Sequence, residues 1–228
     1  MSQRKAPPQQ RVERMFDAVV DRYDLVNDLL SLGLDRWWRR TTLRAMPARP
    51  GDRVLDFGCG TGALGARLAG RAEVVGMDLS HPMLVEAKRR TGGAVDLVRG
   101  SVFALPFADE VFRGVMSAFV LRNLEDLPGA LRELARVTAP GGALAIVDIT
   151  GPQSRALRRP FDAYFGTVAP LLGRMTGQGE AYRYLARSLA QLPKPQELCV
   201  MLEDAGFRLA RARGLTGGMV TLWTAIRT

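Results

Sequence analysis

Histidine occurs once in these 228 residues, at His81, cysteine twice, at Cys59 and Cys199, and lysine three times, at Lys5, Lys88 and Lys194. A single histidine excludes a His-rich metal centre, and no metal is expected. Two cysteines exclude a disulfide framework and fit a reducing compartment, so a cytoplasmic protein is expected. No apolar run approaches the ~20 residues that span a bilayer. The first ten residues, MSQRKAPPQQ, lack the apolar stretch of a signal peptide and are expected to form a disordered lead-in. With lysine so scarce, the net charge of +9 comes almost wholly from arginine. That charge favours anionic partners: a lipid surface, nucleic acid or an acidic substrate. Hydrophobic residues make up 47% of the chain, enough for the core of one sizeable domain over residues 11–228.

What is present is alternation. Residues 11–50 read as helices: Tyr23, Val26 and Leu30 recur at helical spacing, SLGLD breaks the run, and RWWRRTTLRAM starts a second helix. Past the turn RPGD, short apolar runs at 53–58, 73–78 and 94–100 alternate with helical segments near 62–69 and 82–90. A fourth strand is predicted at 113–120 and a fifth at 143–149, with Leu127, Ala130, Leu131 and Leu134 lining the helix between them. Such alternation predicts an α/β protein, a parallel sheet with helices on both faces. Residues 151–190 interrupt it. Phe161, Tyr164, Phe165, Val168 and Leu172 mark an amphipathic helix there, expected to belong to a helical lid. Pro195 opens a last helix and Gly206 stops it. FRLARARGL and MVTLWTAIR follow with no crossover between them, so they are predicted to pair antiparallel.

The stretch VLDFGCGTGAL, residues 54–64, carries the chemistry. Gly58, Gly60 and Gly62 sit where a strand gives way to a helix, so a ligand can approach bare backbone and free N–H groups. A dinucleotide fingerprint would place its third glycine one residue later, and a phosphate loop would need lysine where Ala63 stands. Asp78 ends the second predicted strand, twenty residues beyond Gly58, where a carboxylate can accept ribose hydroxyls. Ser80, just before His81 and Pro82, is the better helix cap, which leaves Asp78 for a ligand. A glycine turn with no phosphate partner, followed by a ribose acid, suits adenosine with an amino-acid tail: S-adenosylmethionine.

On these residues the chain resembles the class I methyltransferase fold. As a whole it resembles the ubiquinone/menaquinone biosynthesis C-methyltransferases, from about residue 12 to the end. The resemblance is carried by MFDAVVDRYDLVNDLLSLGLDRWWRR, SAFVLRNLED, RVTAPGGALAIVDIT, AYRYLARS and GLTGGMVTLW. It departs at Asp35, where the family usually has His, at Ala139-Pro140 for Lys-Pro-Gly-Gly, at Asp148-Ile149-Thr150 for Glu-x-Ser, and at Gly100-Ser101-Val102. The resemblance implies a Rossmann-like seven-stranded sheet whose last strand is antiparallel. It implies S-adenosylmethionine as cofactor, bound by Asp56, Gly58, Gly60, Thr61, Asp78, Leu79, Ser101, Val102 and Ala118. It implies C-methylation of a lipid-tailed quinol, with Arg122 and Asn123 at the reacting ring and Tyr23, with Asp24 and Asn27, closing the site. Tyr182 and Tyr184 are expected to act or pack from the lid. Arg122 would stabilise a quinolate oxygen or polarise a water. Pairing with Glu125 or Asp126 is the structural alternative.

A nucleic-acid partner is not expected, despite the charge. The fourth strand ends in AFVLRN rather than an Asn/Asp-Pro-Pro-aromatic motif, and neither cysteine follows proline. Methylation of another phenol, and a non-catalytic protein that binds the cofactor, are the competing readings. Trp37 and Trp38 lie beside Arg36, Arg39, Arg40 and Arg44, a composition expected to contact an anionic membrane surface reversibly. The oligomeric state, a homodimer included, stays open.

Overall fold

The computed structural model describes residues 13, 14, 17, 20, 23–152, 154–175, 188 and 192–228. The expected lead-in at 1–10, Tyr182 and Tyr184 lie outside the described residues. Seven strands form one sheet: β1 (Arg53–Phe57), β2 (Glu73–Asp78), β3 (Asp96–Arg99), β4 (Phe112–Ala118), β5 (Thr138–Ile149), β6 (Phe207–Leu215) and β7 (Val220–Arg227). Their order is β3-β2-β1-β4-β5-β7-β6. The first five run parallel, and β7 runs antiparallel to both β5 and β6. This is the class I methyltransferase sheet with its antiparallel last strand. The described helices are α1 (Tyr23–Leu30), α2 (Asp35–Ala45), α3 (Gly65–Leu68), α4 (His81–Thr91), α5 (Leu127–Val137), α6 (Arg155–Met175) and α7 (Pro195–Asp204).

The predicted closing hairpin forms, but its two strands do not swap roles freely. β7 slots between β5 and β6 because its side chains are mostly buried, whereas β6 exposes Arg208, Arg211 and Arg213. The arginine-rich strand takes the sheet edge, where charge also discourages pairing with another chain. β5 begins five residues earlier than predicted. Thr138 pairs with Phe112 and Ala143 with Gly114, so the APGG turn bulges out within the strand, with Gly141 at φ +74°. α3 is shorter than the predicted 62–69, because Gly62 lies at φ +74° and keeps the chain unwound before it.

Caps set the helix starts. Ser80 Oγ accepts the Met83 N–H at 3.3 Å, as expected, and Asp126 accepts the Gly129 N–H at 3.0 Å. Gly206 ends the last helix at φ +99°. One apolar layer packs α5 and α7 against the sheet around Leu131, Leu134, Leu198 and Trp223; the other packs α2 and α3 through Trp38, Leu43 and Leu68. The Trp38 indole donates to Thr216 Oγ1 at 2.9 Å, which ties α2 to the turn before β7. The strand order reverses between β1 and β4, and in open α/β sheets ligands bind beyond the carboxyl ends of strands at such a switch point.

Candidate functional site

Two cavities open at that end of the sheet. The floor of the first is the glycine turn. Gly58 sits at φ +61°, and a Cβ there would lie 2.4 Å from Val120 Cγ2. Gly60, at φ +53°, presents its N–H to Asp78 Oδ2 at 2.8 Å. The second oxygen of Asp78 accepts the Ser80 N–H at 2.9 Å. A carboxylate has about four acceptor positions, so Asp78 keeps capacity for a ligand hydroxyl. Burial pushes its carboxyl up, and the N–H groups of Ser80, Gly60 and Leu79 pull it back down. Leu79, Val102 and Ala118, three of the candidate cofactor residues, also line this cavity, and so does Asn123, which was expected at the reacting ring with Arg122. The donors, the carboxylate and the apolar walls fit an adenosyl group.

Three candidate cofactor residues do not line the cavity. Asp56 is buried beneath the turn, where Oδ2 accepts the Gly65 N–H at 2.9 Å and so holds the start of α3. Thr61 is also buried, and its hydroxyl accepts from Arg90 Nη1 at 3.0 Å. Ser101 Oγ accepts the Phe103 N–H at 3.2 Å, shaping the loop whose neighbours Gly100 and Val102 face the cavity. In each case the polar atom accepts a hydrogen bond from within the protein. Cys59 is buried, which pushes its thiol up and makes it a poor nucleophile. His81, at the first position of α4, is exposed.

The sequence reading missed the acids that border this cavity from the N-terminal side. Glu13 lines it and accepts from Arg99 Nη2 at 2.8 Å. Asp17 accepts from the Ser80 hydroxyl at 2.5 Å. Their i, i+4 spacing was the only local signal, and it is common on solvated helix faces.

The second cavity is larger, about 340 Å³ against about 90 Å³. It lies between α1, α2, α6 and the turn before β7. Its walls are mainly apolar, with Leu30, Phe161, Phe165 and Met219 among them, and Asn27, Asp35 and Arg122 bring polar atoms to it. Arg122 follows β4 in a short 3-10 turn, Leu121–Asn123. It pairs not with Glu125 or Asp126 but with Asp148, at the end of β5. Nη1 donates to Asp148 Oδ1, and the Arg122 backbone N–H donates to Oδ2 at 3.2 Å. Its Nε is buried and has no hydrogen-bond partner among the described residues. Arg122 and Asn123, adjacent in sequence, thus face different cavities. Tyr23 and Asp24 belong to α1, but their side chains lie outside the description.

α2 sorts its four arginines by helical period. Asp35, Trp38, Arg39 and Thr42 fall on one face and are buried, and Arg39 Nε donates to Asp35 Oδ2 at 2.9 Å. Arg36, Trp37, Arg40 and Arg44 face outward. The expectation that Arg39 and Trp38 meet a membrane is therefore corrected.

The buried Asp56 also makes a stability prediction. Burial raises its carboxyl from 3.8 to about 7, against the pull of Arg39 and the Gly65 N–H. Between those values the folded chain binds the extra proton, so this group's contribution to stability is lost as pH rises towards 7. Asp56→Asn removes the titration and keeps an acceptor for Gly65. The unfolding midpoint of the parent should fall relative to Asp56→Asn between pH 5 and pH 8. Parallel midpoint curves for the two proteins would show that Asp56 does not titrate in this range.

Comparison with known proteins agrees with this geometry. The ubiE/COQ5 methyltransferase family matches residues 4–227. A demethylmenaquinone methyltransferase of Beutenbergia cavernae is 43% identical over 220 residues, covering 94% of this chain and 90% of that one. The ubiquinone/menaquinone biosynthesis C-methyltransferase UbiE of Syntrophotalea carbinolica is 38% identical over 227 residues, covering 97% and 96%. A solved SAM-dependent methyltransferase from Aquifex aeolicus shares the fold, with a TM-score of 0.63 at 20% identity over 90% of this chain and 98% of that one. The chain belongs to the ubiE/COQ5 methyltransferase family and is an S-adenosylmethionine-dependent methyltransferase.

Proposed function

We propose that the protein methylates a ring carbon of a polyprenyl quinol, demethylmenaquinol or the equivalent benzoquinol of the ubiquinone pathway. The observation that carries this reading is the pair of cavities on either side of one wall. One has a glycine floor and a ribose-type carboxylate; the other is apolar and presents a buried arginine. Relatives named for demethylmenaquinone and ubiquinone/menaquinone methylation support the ring as substrate.

When bound, S-adenosylmethionine would supply a sulfonium methyl to an electron-rich ring carbon, with water available to take the ring proton. Gly58, Gly60 and Asp78 hold the adenosyl end, with Leu79, Val102 and Ala118 against it. Asn123 faces the same cavity from the turn after β4. Arg122 faces the substrate cavity, where its guanidinium charge can stabilise negative charge developing on a quinol oxygen. Asp148 fixes the guanidinium. Because an arginine stays protonated, it serves as an electrostatic donor and not as the base. α6 covers the substrate cavity as part of a lid, and its Tyr164 hydroxyl is anchored to the Leu30 carbonyl at 3.2 Å.

A lipid-tailed substrate has to be met at a membrane, and among the described residues no helix is long and apolar enough to cross one. Leu32 lines the substrate cavity and is 76% exposed. Leu29 and Trp37 are exposed nearby, and Arg36, Arg40 and Arg44 lie on the outer face of α2. Arg36 is partly neutralised by Asp28 at 2.6 Å. We place reversible, charge-assisted membrane contact on this face.

Three outcomes are expected. Asp78→Ala should weaken S-adenosylmethionine binding by about 2–4 kcal/mol in calorimetry, since hydrogen bonds to a charged group are worth about 1.5–3 each. Undiminished affinity would move the ribose site elsewhere. Arg122→Lys keeps the charge but loses the planar fork. Assayed with reductant on both demethylmenaquinol and a demethylated benzoquinol, with products weighed by mass spectrometry, it should lower kcat about a hundredfold or more. Cofactor affinity should hardly change, and a wild-type rate would remove Arg122 from the mechanism. In co-sedimentation, binding should require vesicles with anionic lipid, weaken with salt, and drop when Arg40 and Arg44 become Glu. Equal binding to neutral vesicles at high salt, or none to any vesicle, would refute this docking face.

A further inference from the structure

We propose that Phe119 is a positioning residue for methyl transfer, a partition that sets where substrate and methyl donor can meet. This rests on the quinol methyltransferase reading and assigns a role to a residue that reading leaves out. Among the described residues Phe119 alone lines both cavities. Reacting atoms need to approach to ~3–3.5 Å in line. With the cofactor on one side and the quinol on the other, the meeting point lies at the edge of this ring.

Its backbone is unusual for such a residue. Phe119 leaves β4 at φ +68°, in the left-handed region that bulky side chains avoid. Such a conformation persists only where its surroundings over-determine it, and it clusters at functional positions. Here the surroundings are explicit. The Phe119 N–H donates to the Val147 carbonyl at 2.8 Å. Trp38 meets the ring edge-on, with centroids 6.0 Å apart. Arg39 Cζ stands 5.2 Å from the ring centroid and Arg122 Cζ stands 6.0 Å from it. Arg39 is itself held by Asp35. The left-handed turn carries the ring out of the strand's alternation and between the two cavities. The inward half of α2, Asp35, Trp38 and Arg39, then works as a clamp behind the partition.

The test uses the whole chain and a demethylated quinol that the parent methylates. Glycine suits the left-handed backbone, so Phe119→Gly removes the ring and relieves strain together; Phe119→Leu keeps apolar bulk without a flat ring. Both should lower kcat at least about tenfold, in line with a misplaced reacting pair. The cofactor Kd should stay within about twofold and the quinol KM within about threefold. Phe119→Tyr should keep most of the rate. Arg39→Lys should also lower kcat, and by a smaller factor in the Phe119→Gly background, because part of its effect passes through the ring. A wild-type kcat in the Leu variant overturns the proposal, as does a loss confined to KM or to cofactor affinity. If Phe119→Gly fails to fold, the Leu and Tyr variants still decide. A parent protein that methylates neither quinol would instead overturn the substrate reading, and the two failures are distinguishable.

Discussion

Arg122 and Asp148 bring a guanidinium and a carboxylate together at the ends of β4 and β5, with both side chains almost wholly withdrawn from water. Removing one partner from such a pair leaves the other uncompensated, which is far more costly than replacing both. Much else depends on this contact. It fixes the turn after β4 by holding the Arg122 backbone as well as its side chain. Asn123 then points to the cofactor cavity while Arg122 points to the substrate cavity. Phe119, three residues earlier, is caught between the same guanidinium and Arg39.

Asp56 shows how a motif residue can matter to the backbone beneath a binding turn. Acid before the glycine turn looks like part of the binding site. Its oxygen instead anchors α3, and the nearby Arg39 offsets part of the burial cost. Arg39 thus serves three neighbours, Asp35, Asp56 and the Phe119 ring. An arginine placed by composition on a membrane face belongs to the interior because it falls on the same helical stripe as Asp35, Trp38 and Thr42.

Much of the fold was legible because its signals are local. Short apolar runs alternating with helical segments located the strands, Ser80 and Pro195 located helix starts, and the lack of a crossover after β6 required an antiparallel end. The glycine turn and Asp78 were legible because close backbone approach admits few residue types. The differences are also physical. Asp56, Thr61 and Ser101 lie outside the lining of the cofactor cavity, and each makes a hydrogen bond within the protein. Glu13 and Asp17 were missed because acids four apart on a helix carry no signal of what they will face. The pairing of Arg122 with Asp148 spans 26 residues, so no window around Arg122 could reveal it, and the neighbouring Glu125 and Asp126 offered a false choice.

By itself, then, the sequence determined the layer architecture, the strand-to-helix turn that bares its backbone, and the carboxylate at the end of β2. Each follows from propensity, periodicity or steric exclusion acting within a few residues. Only the tertiary structure decided that β7 lies inside β6, which arginines of α2 are buried, and that Phe119 stands between two cavities. Those outcomes turn on competition for burial among segments far apart in the chain. That competition is settled only when the helices close over the sheet and each polar atom finds, or fails to find, its partner.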